Sequence, residues 1–285
     1  MIEFGQPMAQ LYVPDGVDEQ RALRRCSHMG IGAHQDDLEI MAFHGVLECF
    51  DSPDNWFCGV TCTDGTRGPR KEDLESLSPG EVGALRNEEQ NRAADLGCYG
   101  AMVQLNYASS DVKGRDKSDV IVDLYEILCA VRPSVVYTHN PADKHDTHVG
   151  VVIAALQAIR KMPVGQRPSK LYGCEVWQDL DWLNDDEKVR LDASGNDQLA
   201  AALINCHASQ VTPAKRYDLA TIGRRRANAT YSDSHGNIPE VYVTHAMNLS
   251  PLILDDALNL QDFVAEKIQG FEQSVMNTLA SQLGR

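Results

Sequence analysis

The sequence of 285 residues lacks the long apolar run that a membrane-spanning helix needs. No stretch reaches the roughly 18 to 20 uninterrupted apolar residues required to cross a bilayer. The first twenty residues also lack a basic start followed by an apolar segment, so they do not resemble a secretory signal. We therefore expect no membrane span and a cytoplasmic location.

Basic residues are scarce. The chain has 26 Lys and Arg against 41 Asp and Glu, a formal net charge of −15. Such a field repels phosphate backbones and anionic lipids, which makes nucleic acid and membranes poor candidate partners. The local exception is Arg224–Arg226. We interpret it as a solvated loop that offsets nearby acid, the alternative being an anchor for an anionic substrate group.

Two common motifs are also missing. The eight cysteines include no Cys-x-x-Cys pair, and we expect reduced, mostly buried thiols rather than disulfides. No Gly-x-Gly-x-x-Gly follows the first predicted strand, because Gly30 and Gly32 precede His34 without a third glycine. This absence counts against a nucleotide-binding Rossmann protein.

Apolar segments typical of buried strands alternate with helical patterns of about ten to fifteen residues. The predicted strands are 28–33, 57–63, 101–105, 134–138 and 171–177. The predicted helices are 38–50, 83–96, 119–131, 147–161, 197–206 and 260–279. This alternation predicts an α/β fold with a mostly parallel sheet.

No linker or internal repeat divides the chain, so we expect one domain over residues 1–285. Its core should span about 26–210, after a polar extension, and an elaborated C-terminal part over about 211–285 should shape the substrate pocket. The amphipathic helix at 260–279 should pack on the body. The alternative is a dimer contact, which would make the protein a homo-oligomer.

Imidazoles and carboxylates gather after two predicted strands, in 33–39 (AHQDDLE) and 139–148 (HNPADKHDTH). Ligands of open parallel sheets bind at these carboxyl ends. His34 and Asp37 are three apart at a strand-to-helix turn, so both can converge on one ion while Asp36 stays off it as a base. His145 and His148 share one side of a helix's first turn.

Hydrolysis of an unactivated amide needs a strong nucleophile and a charge stabiliser. A zinc ion with three protein ligands supplies both, because it lowers the pKa of its water to about 7. The alternative is that Asp36, Asp37 and Asp146 only cap helices. From spacing alone the two interpretations stand equal.

The segment 33–39 resembles the Ala-His-Pro-Asp-Asp-x-Glu signature of the LmbE-like (PIG-L) deacetylase family. Further ordered similarities are Thr63-Asp64-Gly65, the helix 85–97, the block 132–148 and His207-Ala208-Ser209-Gln210. The resemblance implies a Rossmann-like three-layer fold. It also implies zinc-dependent removal of an N-acetyl group from an amino sugar or glycoconjugate, which would be a small-molecule substrate.

Carried over by position, the resemblance implies that His34, Asp37 and His148 bind Zn²⁺ or another divalent metal. Asp36 would be the general base. Protonated His145 would stabilise the developing oxyanion or protonate the leaving amine.

For substrate binding, the resemblance implies Arg86 as the contact to a polar group. Asp64 either hydrogen-bonds sugar hydroxyls or caps a turn, and His139 is a candidate for lining the pocket. We interpret His207 as a supporting or core histidine rather than a ligand.

The sequence departs from the family pattern twice. Gln35 replaces the usual proline, which should loosen the turn. The family's His-Pro-Asp-His becomes His145-Asp146-Thr147-His148, so Asp146 is one position out of place for orienting a histidine. The alternative function is a non-catalytic sugar- or metal-binding relative, which would have lost a ligand or the base, and here all are present.

Overall fold

The computed structural model describes residues 2–68, 71, 74–233, 235–236 and 238–284. Within them, all named strands join one sheet. In chain order they are β1 (Gln10–Tyr12), β2 (His28–Gly32), β3 (Phe57–Thr63), β4 (Ala101–Tyr107), β5 (Val135–His139), β6 (Lys170–Cys174), β7 (Lys188–Asp192) and β8 (Val243–Asn248).

The spatial order of the sheet is β1-β4-β3-β2-β5-β6-β8-β7. The central strands from β4 to β6 are parallel, while β1, β8 and β7 add antiparallel pairs at the edges. After the edge strand β1, the chain runs from β2 outward through β3 to β4, and then returns to start the other half at β5. This reversal opens a crevice at the carboxyl ends of β2 and β5, where such sheets bind ligands. The predicted α/β, mostly parallel fold is confirmed.

Helices cover both faces of the sheet. They are α1 (Glu19–Arg24), α2 (Asp37–Met41), α3 (Phe43–Cys49), α4 (Pro79–Leu96), α5 (Ser109–Lys113), α6 (Ser118–Val131), α7 (Asp146–Lys161), α8 (Asp197–Asn205), α9 (Tyr217–Tyr231), α10 (Ser250–Leu254) and α11 (Leu260–Gln282). One apolar cluster contains side chains of α6 and α7, and a second contains side chains of α2, α3 and α8. The result is the expected three-layer arrangement.

Local chemistry explains where key helices begin and how close they lie. Ser78 and Glu81 form a reciprocal capping box at the start of α4. On the sheet, Gly30 and Gly59 let Leu38 of α2 pack directly over the strands, since a Cβ at either glycine would lie 2.9 Å from that side chain. The short α2 is thereby held tightly against the end of β2.

The structure differs from the prediction at both ends, in one helix and in elements that the sequence did not predict, such as β7, α9 and β8. The predicted helix 38–50 is interrupted at Ala42, which separates α2 from α3. The N-terminal segment is more than an extension, because β1 pairs with the sheet edge and the Gly5 N–H donates to the Asp123 carboxylate at 2.7 Å. Between β3 and α4, residues 69–70 and 72–73 lie outside the described residues.

The C-terminal helix α11 packs on the body only through its first turns. Phe263 lies against the apolar core, and Lys267 donates to Glu187 at 2.8 Å. From Phe271 onward the helix is largely exposed, and Leu279 is 49% accessible. The predicted packing therefore holds for the N-terminal part of the helix alone.

All eight cysteines are free, as the sequence predicted. Among the described helices, none is both long and apolar enough to cross a bilayer.

Candidate active site

Donor atoms from two strand ends meet at the crevice between β2 and β5. His34 Nδ1 lies 3.2 Å from Asp37 Oδ2, and His148 Nε2 lies 3.3 Å from His34 Nδ1. His148 Nε2 lies 3.5 Å from Asp37 Oδ2. The fold thus brings together the three residues predicted to bind a metal.

This triangle fits a tetrahedral zinc site. Zinc bonds imidazole nitrogen and carboxylate oxygen at about 2.0 to 2.2 Å, which places neighbouring donors of a tetrahedron about 3.3 to 3.6 Å apart. The observed distances of 3.2 to 3.5 Å match that spacing. Two further groupings, His145 with His34 and His148, and His139 with Asp37 and His148, also have their donor atoms within 4.8 Å of one another. His139 Nε2 itself lies 3.3 Å from Asp37 Oδ2.

Asp37 is held by the strand end that precedes it. Its Oδ2 accepts the N–H of Ala33 at 3.0 Å and of His34 at 2.7 Å, so these bonds do not cap the helix that it begins. Burial alone would raise the pKa of Asp37, but the imidazoles of His148 and His139 hold it well below its usual range. The carboxylate is therefore ionised, as a metal ligand must be.

Asp36 faces the cavity beside the triangle. It occupies the N-cap position of α2 but makes no capping hydrogen bond with its side chain, so capping does not explain it. Its backbone has a φ of 99°, a left-handed conformation that is uncommon for a residue other than glycine. Burial and the adjacent Asp37 charge raise the pKa of Asp36 well above its usual value. A carboxylate in this state accepts a proton readily.

His148 is fully buried and oriented by Asp143. Its Nδ1 lies 3.4 Å from Asp143 Oδ2, an oxygen that also accepts the N–H of Trp177 at 3.1 Å. Donation from Nδ1–H to this carboxylate leaves the Nε2 lone pair for the triangle. Burial and the neighbouring His139 ring lower the pKa of His148 to about 3, so its ring is neutral.

His145 caps α7 with its own ring. Nδ1 accepts the N–H of Thr147 at 3.3 Å. In a neutral ring with Nδ1 as acceptor, the proton resides on Nε2. Burial and nearby His34 lower the pKa of His145, which favours the neutral ring over the protonated form expected from the sequence. Asp146 follows at an exposed position in the first turn.

A cavity of about 410 Å³ opens onto these groups. The predicted site residues that line it are His34, Asp36, Asp37, Arg86 and His145. Part of its wall comes from the segment after β6 and from α9, including Trp177 and Tyr217, whose rings meet edge to face at 6.1 Å. Residues beyond 210 thus contribute to the pocket.

Three predicted substrate-binding residues occupy different positions. Arg86 lines the cavity, although it is almost fully buried and donates to the Gly65 carbonyl. Asp64 is not among the lining residues, and its carboxylate accepts the N–H and hydroxyl of Thr66 at 3.1 and 3.0 Å, which favours the turn interpretation. His139 is also absent from the lining and places Nε2 3.3 Å from Asp37 Oδ2.

The interpretation of Arg224–Arg226 as a solvated loop is wrong. These residues lie in α9, and Arg224 donates to the Val176 carbonyl. Arg225 is only 3% accessible and donates to the Glu39 carbonyl at 2.6 Å, with its guanidinium over the Phe43 ring. The sequence could have revealed α9 only through a weak helical pattern in a polar segment.

Residues 29–159 match the family model described as PIG-L, GlcNAc-PI de-N-acetylase. This segment of the chain is similar to the PIG-L (LmbE-like) family. No curated protein sequence matches the chain.

Several solved structures share the fold of this chain. N,N'-diacetylchitobiose deacetylase from Pyrococcus horikoshii is 19% identical with a TM-score of 0.62, over 87% of this chain and 92% of that chain. The 4-carboxy-2-hydroxymuconate hydratase GalB from Pseudomonas putida KT2440 is 19% identical with a TM-score of 0.59, over 79% and 96%. The A40926 pseudoaglycone deacetylase Dbv21 is 16% identical with a TM-score of 0.56, over 79% and 97%.

At the two places where the sequence departs from the PIG-L motifs, other contacts hold the site residues. Gln35 is fully buried, and its Nε2 donates to the Thr63 carbonyl at 3.2 Å and to Asn87 Oδ1 at 3.1 Å. The side chain therefore ties the turn down instead of loosening it. The carboxylate beside His148 is that of Asp143, whereas Asp146 is exposed. The sequence contained Asp143, but its spacing gave no sign that it would orient His148.

The His-x-Ser-Gln element at residues 207–210 packs behind the site residues and forms hydrogen bonds with them and with their neighbours. His207 Nε2 lies 2.9 Å from Glu39 Oε2, and Ser209 donates its N–H to Glu89 at 2.8 Å. Gln210 donates to the Gln35 carbonyl in the turn between the first two site residues. His207 is thus a buried supporting residue in this structure.

Proposed function

We propose that this chain hydrolyses the N-acetyl amide of an amino sugar or glycoconjugate, releasing acetate and a free amine. The metal ligands in this proposal are His34, Asp37 and His148. Zn²⁺ is the cofactor that their chemistry fits best, since imidazole and carboxylate are both zinc ligands. When bound, the ion would supply the Lewis acidity that activates a water and polarises the amide carbonyl.

The observation that carries the proposal is the donor triangle next to a separate buried carboxylate. A hydrolytic metal site needs three protein ligands, an open side and a base that is not itself a ligand. The triangle spans 3.2 to 3.5 Å, and Asp36 lines the same cavity without a capping bond. A non-catalytic binding protein has no need of that base.

In the proposed reaction Asp36 takes a proton from the attacking water and passes it to the leaving nitrogen. The raised pKa of Asp36, caused by burial and the Asp37 charge, makes it a better proton acceptor than an exposed aspartate. The guanidinium of Arg86 favours the ionised form of Asp36 and so partly offsets this rise in pKa. We propose that Arg86 also contacts a polar group of the substrate.

His145 is proposed to donate Nε2–H to the oxyanion that forms when the amide carbonyl is attacked. Its Nδ1 is engaged by the Thr147 N–H, which fixes both the ring and its tautomer. The proposed substrate contacts do not include Asp64 or His139. Asp64 closes a turn, and His139 abuts the Asp37 carboxylate away from the cavity.

The fold by itself does not choose this reaction. The family description names de-N-acetylation and two of the structural neighbours are described as deacetylases, whereas GalB is described as a hydratase. Function resides in the site rather than in the fold. The donor set and the free carboxylate favour metal-assisted hydrolysis of an amide.

The test is acetate release from N-acetylglucosamine and N,N'-diacetylchitobiose by zinc-loaded protein, compared with Asp36→Asn. We expect the variant to retain zinc and lose activity by about a hundredfold or more. Asp119→Asn, which alters an exposed carboxylate in α6, is the matched control and should keep full activity. Undiminished turnover by Asp36→Asn would contradict the assignment of the base.

A further inference from the structure

The cavity over the candidate active site is locally basic in an acidic protein. It is lined by five Arg and Lys residues and three Asp and Glu residues. The whole chain has the opposite balance, with 26 basic and 41 acidic residues. Charges that line a concave surface concentrate the field inside it, so this reversal affects which substrates enter.

Two of the basic side chains that line the cavity are exposed to solvent. Arg67 and Lys113 both line the cavity and both are exposed. Neither makes a hydrogen bond or an ion pair with any residue in the described part of the chain. Arg224, by contrast, is engaged by the Val176 carbonyl. Arg67 and Lys113 are thus two cations at the solvent side of the cavity with unused donors.

The acidic lining residues do not neutralise these cations. Asp36 and Asp37 are buried at the metal end of the cavity. Glu175 is also buried, and its carboxylate accepts from Asn228, from the His245 N–H at 3.1 Å and from the Leu180 N–H at 3.4 Å. The solvent side of the cavity therefore presents positive charge that no acidic residue in the described part of the chain pairs with.

We propose that the acylated substrate carries an anionic substituent, a carboxylate or a phosphate, that binds to Arg67 and Lys113 while its N-acetyl group lies at the metal end. This inference rests on the proposed deacetylation and narrows its substrate class. Ser109 lines the same cavity in the same short helix as Lys113 and offers a hydroxyl to such a group. Arginine and lysine with spare donors bind such oxyanions through charge-assisted hydrogen bonds.

The test compares three N-acetylated sugars with zinc-loaded protein: neutral N-acetylglucosamine, N-acetylglucosamine 6-phosphate and N-acetylmuramic acid, which bears a carboxylate. We expect kcat/KM to be at least about tenfold higher for one of the anionic sugars than for the neutral one. The phosphate and carboxylate arms show which anion is preferred. The preference should shrink as salt is raised, because the two cations are exposed.

The double variant Arg67→Gln/Lys113→Gln should lose the preference for the anionic sugar and leave turnover of the neutral sugar within about threefold. The matched control is Arg24→Gln/Lys161→Gln, which removes the same charges from exposed positions outside the cavity and should change neither. Equal turnover of all three sugars by the wild-type protein would overturn the inference. So would a preference that survives in the double variant.

If no sugar releases acetate, the proposed deacetylation fails for these substrates, and binding still decides the inference. Calorimetric titration of the same zinc-loaded protein with the three sugars then replaces turnover. Tighter binding of an anionic sugar that is lost in the double variant supports an anion site. Equal binding, or no binding of any of the three, overturns it.

Discussion

Asp143→Asn should weaken zinc binding by about ten- to a hundredfold, because the carboxylate fixes His148. Asp143 Oδ2 faces two donors, His148 Nδ1 at 3.4 Å and the Trp177 N–H at 3.1 Å, and Oδ1 accepts the His145 N–H at 2.9 Å. An asparagine can keep an oxygen on only one of these sides. The His148 ring then loses its charged acceptor and is no longer held with Nε2 toward the triangle. The expected loss corresponds to about 1.4 to 2.7 kcal/mol.

Competition with a chromophoric zinc chelator measures the affinity directly. Asp146→Asn is the matched control, since Asp146 is exposed, lies close by in the chain and stands nearest to the family's usual aspartate position. We expect its zinc affinity to change less than about twofold. Thermal unfolding of both metal-free variants separates a loss of zinc affinity from a loss of fold.

The opposite pattern would refute this reasoning. If Asp146→Asn weakened zinc binding and Asp143→Asn did not, the His148 orientation would depend on the family's usual arrangement and not on the contacts in this structure. Equal affinities for both variants and the wild type would show that neither carboxylate positions a ligand.

Three further predictions concern stability. Gln35→Ala should lower the free energy of unfolding by about 2 kcal/mol, because two buried hydrogen bonds and the packing of the side chain are lost. Urea denaturation measures this change, and a value below about 0.5 kcal/mol would contradict the role of this side chain. Burial lowers the pKa of His245 to about 4, whereas an unfolded chain binds this proton near pH 6.5. About 3 kcal/mol of stability should thus be present above pH 6.5 and lost as the pH falls towards 4, and His245→Gln should reduce that loss in unfolding measured against pH. In α11, Phe263→Ala should cost about 1 kcal/mol or more, and Leu279→Glu less than about 0.5 kcal/mol, in the same denaturation assay; equal costs would show that the whole helix is packed.

The central fold follows from periodicity that local sequence displays. Buried parallel strands such as β3 and β5 read as continuous apolar runs, and the helices between them as amphipathic segments. The edges gave weaker signals. β1 has three residues and β7 alternates polar and apolar side chains, so their pairing depends on contacts distant in sequence. The break at Ala42 could not be predicted either, because the apolar periodicity continues across it.

The candidate ligands could be named from the sequence because they stand at strand ends, where neighbouring parallel strands converge. The supporting groups could not. Asp143 reaches His148 through a loop whose path no spacing rule specifies, and Gln35 anchors a turn by bonding to two other elements. Arg225 belongs to a polar helix that gives little periodic signal, yet it is buried against Phe43.

The most direct test of the account measures zinc content and acetate release on the same purified protein, before and after chelation and after zinc is restored. The account predicts about one zinc per chain, no acetate release once zinc is removed, and recovery when zinc returns. Failure to bind zinc, or acetate release that continues at full rate in the chelated protein, would contradict the role assigned to His34, Asp37 and His148.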